Sequence, residues 1–110
     1  MAVDIPNEVR EVLLQGEEVA LAASGLNESY YFTNRRILTV RYGKKRVEGY
    51  TTCLYKHIAR TSFYPITAGY SGRDVASIDI SLAGDMFVSF LFKQNSIAAE
   101  VNQFILSKIL

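Results

Sequence analysis

The sequence predicts a mainly β (α+β) domain: about seven antiparallel strands, a short N-terminal helix and a C-terminal capping helix. Three observations carry that reading. Between Val19 and Phe92, short runs rich in β-branched and aromatic residues alternate with turn residues. Within one run, Ala76, Ile78, Ile80 and Leu82 alternate with Ser77, Asp79 and Ser81, the period of a half-buried strand. After Gln94 the apolar period becomes helical. At 110 residues the chain has room for one core, so residues 1–110 are read as a single domain.

Each element has a local reason. Pro6 suits the first turn of a helix, and Val9, Val12 and Leu13 recur at helical spacing. Residues 1–16 are therefore read as an N-terminal helical segment that Gly16 ends. The expected strands are "VALAAS", "SYYFT", "RILTVRY", "YTTCLYK", "HIARTSFYPI", "VASIDISL" and "MFVSFLF". The capping helix is placed at residues 95–110, with Asn95 or Ser96 as N-cap and Ile97, Val101, Phe104, Ile105 and Ile109 as its apolar stripe. Seven strands and one terminal helix suggest two packed sheets, or a partly closed barrel whose open end the helix covers.

Composition excludes several classes. No apolar run approaches the roughly 18 residues of a membrane-spanning helix. The start, "MAVDIPNEVREVLLQGEE", is acidic and lacks the apolar block of a secretory signal, so a cytoplasmic protein is expected. The single cysteine, Cys53, is read as a small apolar strand residue. Net charge is +1, but it is unevenly spread. Residues 1–28 hold Arg10 against six acids, and residues 29–60 hold eight bases against Glu48. The acidic start and basic middle are expected to attract each other, within one chain or between two.

The segments "LLQGEEV", "YYFTNRRILTV", "YKHI", "IDISLAG" and "ILSKIL" together resemble the bacterial pleckstrin-homology (PH) domain family. The resemblance covers nearly the whole chain, and "FTNRRIL" is its most distinctive piece. It implies a PH-like barrel and a non-enzymatic domain that forms ring-like homo-oligomers, often of five subunits. In the eukaryotic relatives of that fold, bases flank the loop between the first two strands and hold lipid head groups. Here that stretch is "ASGLNESYY", which has no base and carries Glu28.

Lys44, Lys45 and Arg46 are read as a solvated hairpin turn, with an anion or peripheral-membrane contact as the alternative. Arg35 and Arg36 fall at the opposite end of a strand of about seven residues, roughly 20 Å away, too far to share one phosphate. The aromatic and basic mixture around Tyr30, Tyr31, Phe32, Tyr42 and Tyr50 invites a nucleic-acid reading. Near-neutral charge argues against it, and no nucleic-acid partner is expected. His57 is the only histidine, so no two-histidine metal site exists, and Cys53 four residues away makes a weak nucleophile pair. "GYSGRD" (69–74) lacks the spacing and lysine of a phosphate-binding loop. No catalytic residue, metal or cofactor is expected.

Self-association remains. In "DMFVSFLF", Met86, Val88, Phe90 and Phe92 fall on one face, and Phe87, Ser89 and Leu91 on the other. Both faces are largely apolar, while a small barrel has only one interior. Ile37 and Thr39 alternate with Leu38 and Val40 in the same way. Ile37, Phe87 and Leu91 are therefore the expected oligomer interface, unless the N-terminal helix covers the surplus face within one chain.

Overall fold

The computed structural model describes residues 5–25, 27–65, 76–82 and 86–110. Its order is α1 (Asn7–Arg10), β1 (Val19–Ser24), β2 (Glu28–Thr33), β3 (Arg36–Tyr42), β4 (Val47–Leu54), a 3₁₀ turn (Tyr55–His57), β5 (Ile58–Tyr64), β6 (Ala76–Leu82), β7 (Met86–Phe92) and α2 (Asn95–Ile109). Neighbours in sequence are neighbours in space, all antiparallel. They form a four-stranded sheet, β1-β2-β3-β4, and a three-stranded sheet, β5-β6-β7. Seven strands and two helices are as the sequence predicts, and the ladders make two sheets rather than one closed cylinder. The chain divides into two units at Leu54 and Tyr55.

In the first unit β2 and β3 bury side chains on both faces. Tyr31 pairs with Leu38, and Val40 lies two residues on, so these side chains share a face. Val9 of α1, which has no exposed surface, packs on Tyr31, Leu38 and Val40, with Ile5, Val12 and Leu13 around it. The N-terminal segment thus covers the surplus face of β3 within the chain. On the other parity, Tyr30, Phe32 and Ile37 are buried. Ile37, one of the expected interface residues, has no exposed surface.

The helical segment is shorter than predicted. Pro6 serves as N-cap, and α1 ends at Arg10; Gly16 stands well beyond it. Gly16 has φ +79, the left-handed region glycine tolerates, and it turns the chain toward β1 rather than ending a helix. Val12 and Leu13 reach the core from irregular backbone, which the helical spacing could not distinguish from a second turn.

The second unit is a meander with a helix on one face. Ala76, Ile78 and Ile80 are fully buried, as their alternation predicts, beside Phe90 and Phe92 of β7. Helix α2 packs on β5, β6 and β7 and on the 3₁₀ turn. Thr61, which pairs with Ile80, lies 3.5 Å from Asn102, so α2 sits on the isoleucine face. The buried stripe is Ala98, Val101 and Ile105, and Ile97 is exposed, a rotation from the predicted stripe. Close approach of helix to sheet favours the small Ala98, which a hydrophobicity pattern undervalues. Phe104 lies at the edge of the stripe, edge-on to Tyr55 at 6.2 Å. Gln94 occupies the N-cap position without a side-chain cap, so Asn95 and Ser96 are the first helical residues instead.

Candidate functional site

The sequence points to three places: the basic turn, the Cys53–His57 pair and the apolar face of β7. The basic turn joins β3 to β4, closed by the Gly43 N–H donating to the Arg46 carbonyl at 2.8 Å. Lys44, Lys45 and Arg46 are exposed and line an open cleft of about 630 Å³ with Glu8, Tyr42, Val47 and Tyr50. The Tyr50 hydroxyl donates to the Glu8 carbonyl at 2.9 Å, tying α1 to β4. Burial, then the hydrogen bond with Tyr31 and the charge of Glu8, push the Tyr42 phenol up to about 12. Carboxylates temper the cations: Glu8 lines the cleft, and a Cβ on Gly43 would lie 2.6 Å from Glu48 Oε1. An anion entering here meets three positive charges and two negative ones.

Arg36 does not belong to any basic surface. Its Nε and Nη2 donate to the two carboxylate oxygens of Glu17 at 2.8 and 2.9 Å. Nη2 also reaches the Val12 carbonyl at 2.8 Å, and Nη1 the Thr52 hydroxyl at 2.9 Å. Glu17 has no exposed side-chain surface, and its remaining capacity is met by the Thr33 hydroxyl at 2.7 Å and the Leu14 N–H at 3.0 Å. Burial alone pushes this carboxyl up; the hydrogen bonds from Arg36, Leu14 and Thr33 and the charge of Arg36 overcome it and hold Glu17 at about 2. Asn34 completes the clasp, accepting from the Glu18 N–H at 2.9 Å and donating to the Gly16 carbonyl at 3.1 Å. The segments "LLQGEEV" and "FTNRRIL" are therefore one structural clasp. Sequence reasoning missed it by treating Arg36 as a hairpin-tip base. The signal was parity, since Arg36 shares a face with Leu38 and Val40.

The attraction between acidic start and basic middle is thus partly met within the chain. Arg36 takes Glu17, and Arg41 faces its cross-strand partner Glu28 at 3.9 Å. The second pair is exposed and contributes little.

Cys53 is half-buried, and burial pushes its thiol up, away from the thiolate a nucleophile needs. His57 is exposed in the 3₁₀ turn. Among the described residues no three His, Cys, Asp or Glu side chains are grouped to hold a metal ion. The stretch 69–74 lies outside the described residues.

The register of the second sheet arranges the face opposite α2 in three rows. These are Arg60–Ser81–Phe87, Ser62–Asp79–Ser89 and Tyr64–Ser77–Leu91. The Ser89 hydroxyl donates to Asp79 at 2.8 Å in the central row. Phe87 is 65% exposed and neighbouring Met86 63%, while Leu91 is half-buried. Met86 and Phe87 border a second open cleft of about 480 Å³ with Arg60, Ser81 and Leu82.

A family model described as the bacterial PH domain matches residues 2–109. The fold is similar to the crystal structure of a pleckstrin homology domain from Shewanella amazonensis SB2B. The TM-score is 0.70 at 22% identity, over 93% of this chain and 92% of that one. It is also similar to a DUF1696 family protein with a pleckstrin-homology domain from Shewanella loihica PV-4. There the TM-score is 0.69 at 21% identity, over 94% and 91% of the two chains. No curated protein matches.

Proposed function

The chain belongs to the bacterial PH domain family, and on that premise we propose that it is a non-catalytic binding or scaffolding module, working in the cytoplasm, that self-associates into a ring-like homo-oligomer. The observation that carries the reading is the 65% exposure of Phe87, on the face of the second sheet opposite α2. A large apolar side chain more than half exposed loses hydration cost when a second surface covers it. Solution mass by size-exclusion chromatography with light scattering tests it. A discrete assembly of several 12.3 kDa subunits, reduced to monomers by Phe87→Asp, is expected. A monomer at all concentrations overturns the proposal.

A second reading rests on the cleft at the basic turn. Lys44, Lys45 and Arg46 beside Tyr42 and Tyr50 would take an anionic ligand, such as an acidic membrane surface. Co-sedimentation with vesicles of anionic lipid decides it. Binding that falls with salt and vanishes when all three bases become alanine supports it, and no binding at low salt ends it.

A further inference from the structure

We infer that the cleft at the β3–β4 turn binds a nucleoside monophosphate, with its phosphate on Lys44, Lys45 and Arg46, its base on Tyr50 and its sugar hydroxyls on Glu8. This inference rests on the anionic-ligand reading above and names the class of ligand.

Strand register builds the cleft. Tyr50 pairs with Val40, and Val47 with Tyr42, so these side chains share the face on which α1 lies. Val9 seats α1 on Tyr31, Leu38 and Val40. The hairpin end of the same face stays open as the cleft of about 630 Å³, a size typical of small-molecule sites. Glu8 lines it from α1, and the Tyr50 hydroxyl holds the helix there by donating to the Glu8 carbonyl at 2.9 Å. Tyr50 is still 42% exposed, which leaves ring surface for a second ring.

The charges that line the cleft are sorted by element. The three bases come from the turn, which the Gly43–Arg46 hydrogen bond closes, and the carboxylate comes from the helix. A ligand that is anionic throughout, such as an acidic membrane, brings negative charge onto Glu8 as well as onto the bases. A phosphate carried on a group with hydroxyl donors satisfies both. The phosphate takes charge-assisted hydrogen bonds from the lysines and Arg46. The hydroxyls donate to the carboxylate, a pairing that ribose makes at other nucleotide sites. Between these ends lie Tyr42, Val47 and Tyr50, apolar and aromatic surface on which a planar base stacks and a bare phosphate finds nothing.

Isothermal titration with AMP, adenosine and inorganic phosphate tests this, beside co-sedimentation with vesicles of anionic lipid. AMP is expected to bind about tenfold or more tightly than either adenosine or phosphate. Alanine at Lys44, Lys45 and Arg46 together is expected to weaken AMP by about tenfold or more. Tyr50→Ala is expected to weaken AMP by about tenfold, while Tyr50→Phe, which keeps the ring, stays within about threefold of the parent. Glu8→Ala separates the ligands: AMP weakens by about tenfold, and phosphate, freed from repulsion, tightens by about twofold. Arg35→Ala leaves AMP binding unchanged, and circular dichroism checks that each variant keeps its strands. AMP no tighter than phosphate, with vesicles bound, overturns the nucleotide and leaves the anionic-ligand reading standing. Glu8→Ala tightening AMP and phosphate alike does the same. No binding of any probe or vesicle at low salt overturns both.

Discussion

Replacing Glu17 by glutamine keeps the shape of the clasp and removes its negative charge. Arg36, whose side chain is 14% exposed, then stays buried without its counter-charge. Each tenfold step in proton affinity is worth ~1.4 kcal/mol, so a carboxyl held at about 2 instead of 4.5 adds about 3 kcal/mol at neutral pH. The sign follows from the direction. The folded value is lowered, so the contribution is complete above 4.5 and disappears as pH falls through about 2. Linkage gives a difference between the parent and Glu17→Gln of about 3 kcal/mol at pH 7, about 1.4 at pH 3 and under about 0.5 at pH 2. Urea unfolding at these pH values reads it directly. A slope of roughly 1.5 to 3 kcal/mol per molar makes the pH 7 gap a midpoint shift of about 1 to 2 M. Other carboxylates titrate equally in both proteins and drop out of the difference. A gap that stays constant from pH 7 to pH 2, or one below about 1 kcal/mol at pH 7, would refute the assignment of Glu17 as a charged, buried partner of Arg36.

The same unit supports further expectations. Val9→Ala removes the side chain that plugs α1 onto Tyr31, Leu38 and Val40, and a loss of about 2 kcal/mol is expected in thermal or urea melts. Gly16→Ala costs about 1 kcal/mol from backbone strain alone, since its Cβ would meet only Arg35 at 3.6 Å; Gly16→Asn is expected to cost less. Cys53 is expected to react slowly with thiol reagents near pH 8 in the folded protein and at the ordinary rate in denaturant, because burial keeps it protonated. In an alkaline absorbance titration, a tyrosinate step is expected near pH 12 and to disappear in Tyr42→Phe.

Much of the fold was legible because strands declare themselves by alternation. Ala76, Ile78 and Ile80 could face only a core, and so they do. Helix lengths were less legible. In the N-terminal segment the apolar spacing marks which residues reach the sheet, while the backbone between them need not stay helical. In α2 the helix face was set by how closely Ala98 lets the backbone approach, a steric matter invisible to a hydrophobic stripe. The clasp was hidden for a different reason. A lone Glu and a lone Arg separated by 19 positions read as two solvated charges. Only the pairing of β1 with β2 and β2 with β3 brings them within 2.8 Å. Of the proposed interface, Phe87 and Leu91 lie on the face opposite α2, whereas Ile37 is sealed because alternation alone cannot say which surplus face the chain covers itself.

The N-terminal segment also carries a lesson about timing. Every partner that fixes it is made after it: Tyr31, Leu38 and Val40 for Val9, Arg36 for Glu17, and Tyr50 for the Glu8 carbonyl 42 residues away. The strands need only their immediate neighbours, so each ladder can form as soon as the next strand leaves the ribosome. The segment before β1 is therefore the last part of its unit to be fixed. Until β3 is in place, Val9 has no complete surface of Tyr31, Leu38 and Val40 to pack on, and that interval is when these apolar residues are most exposed to wrong partners.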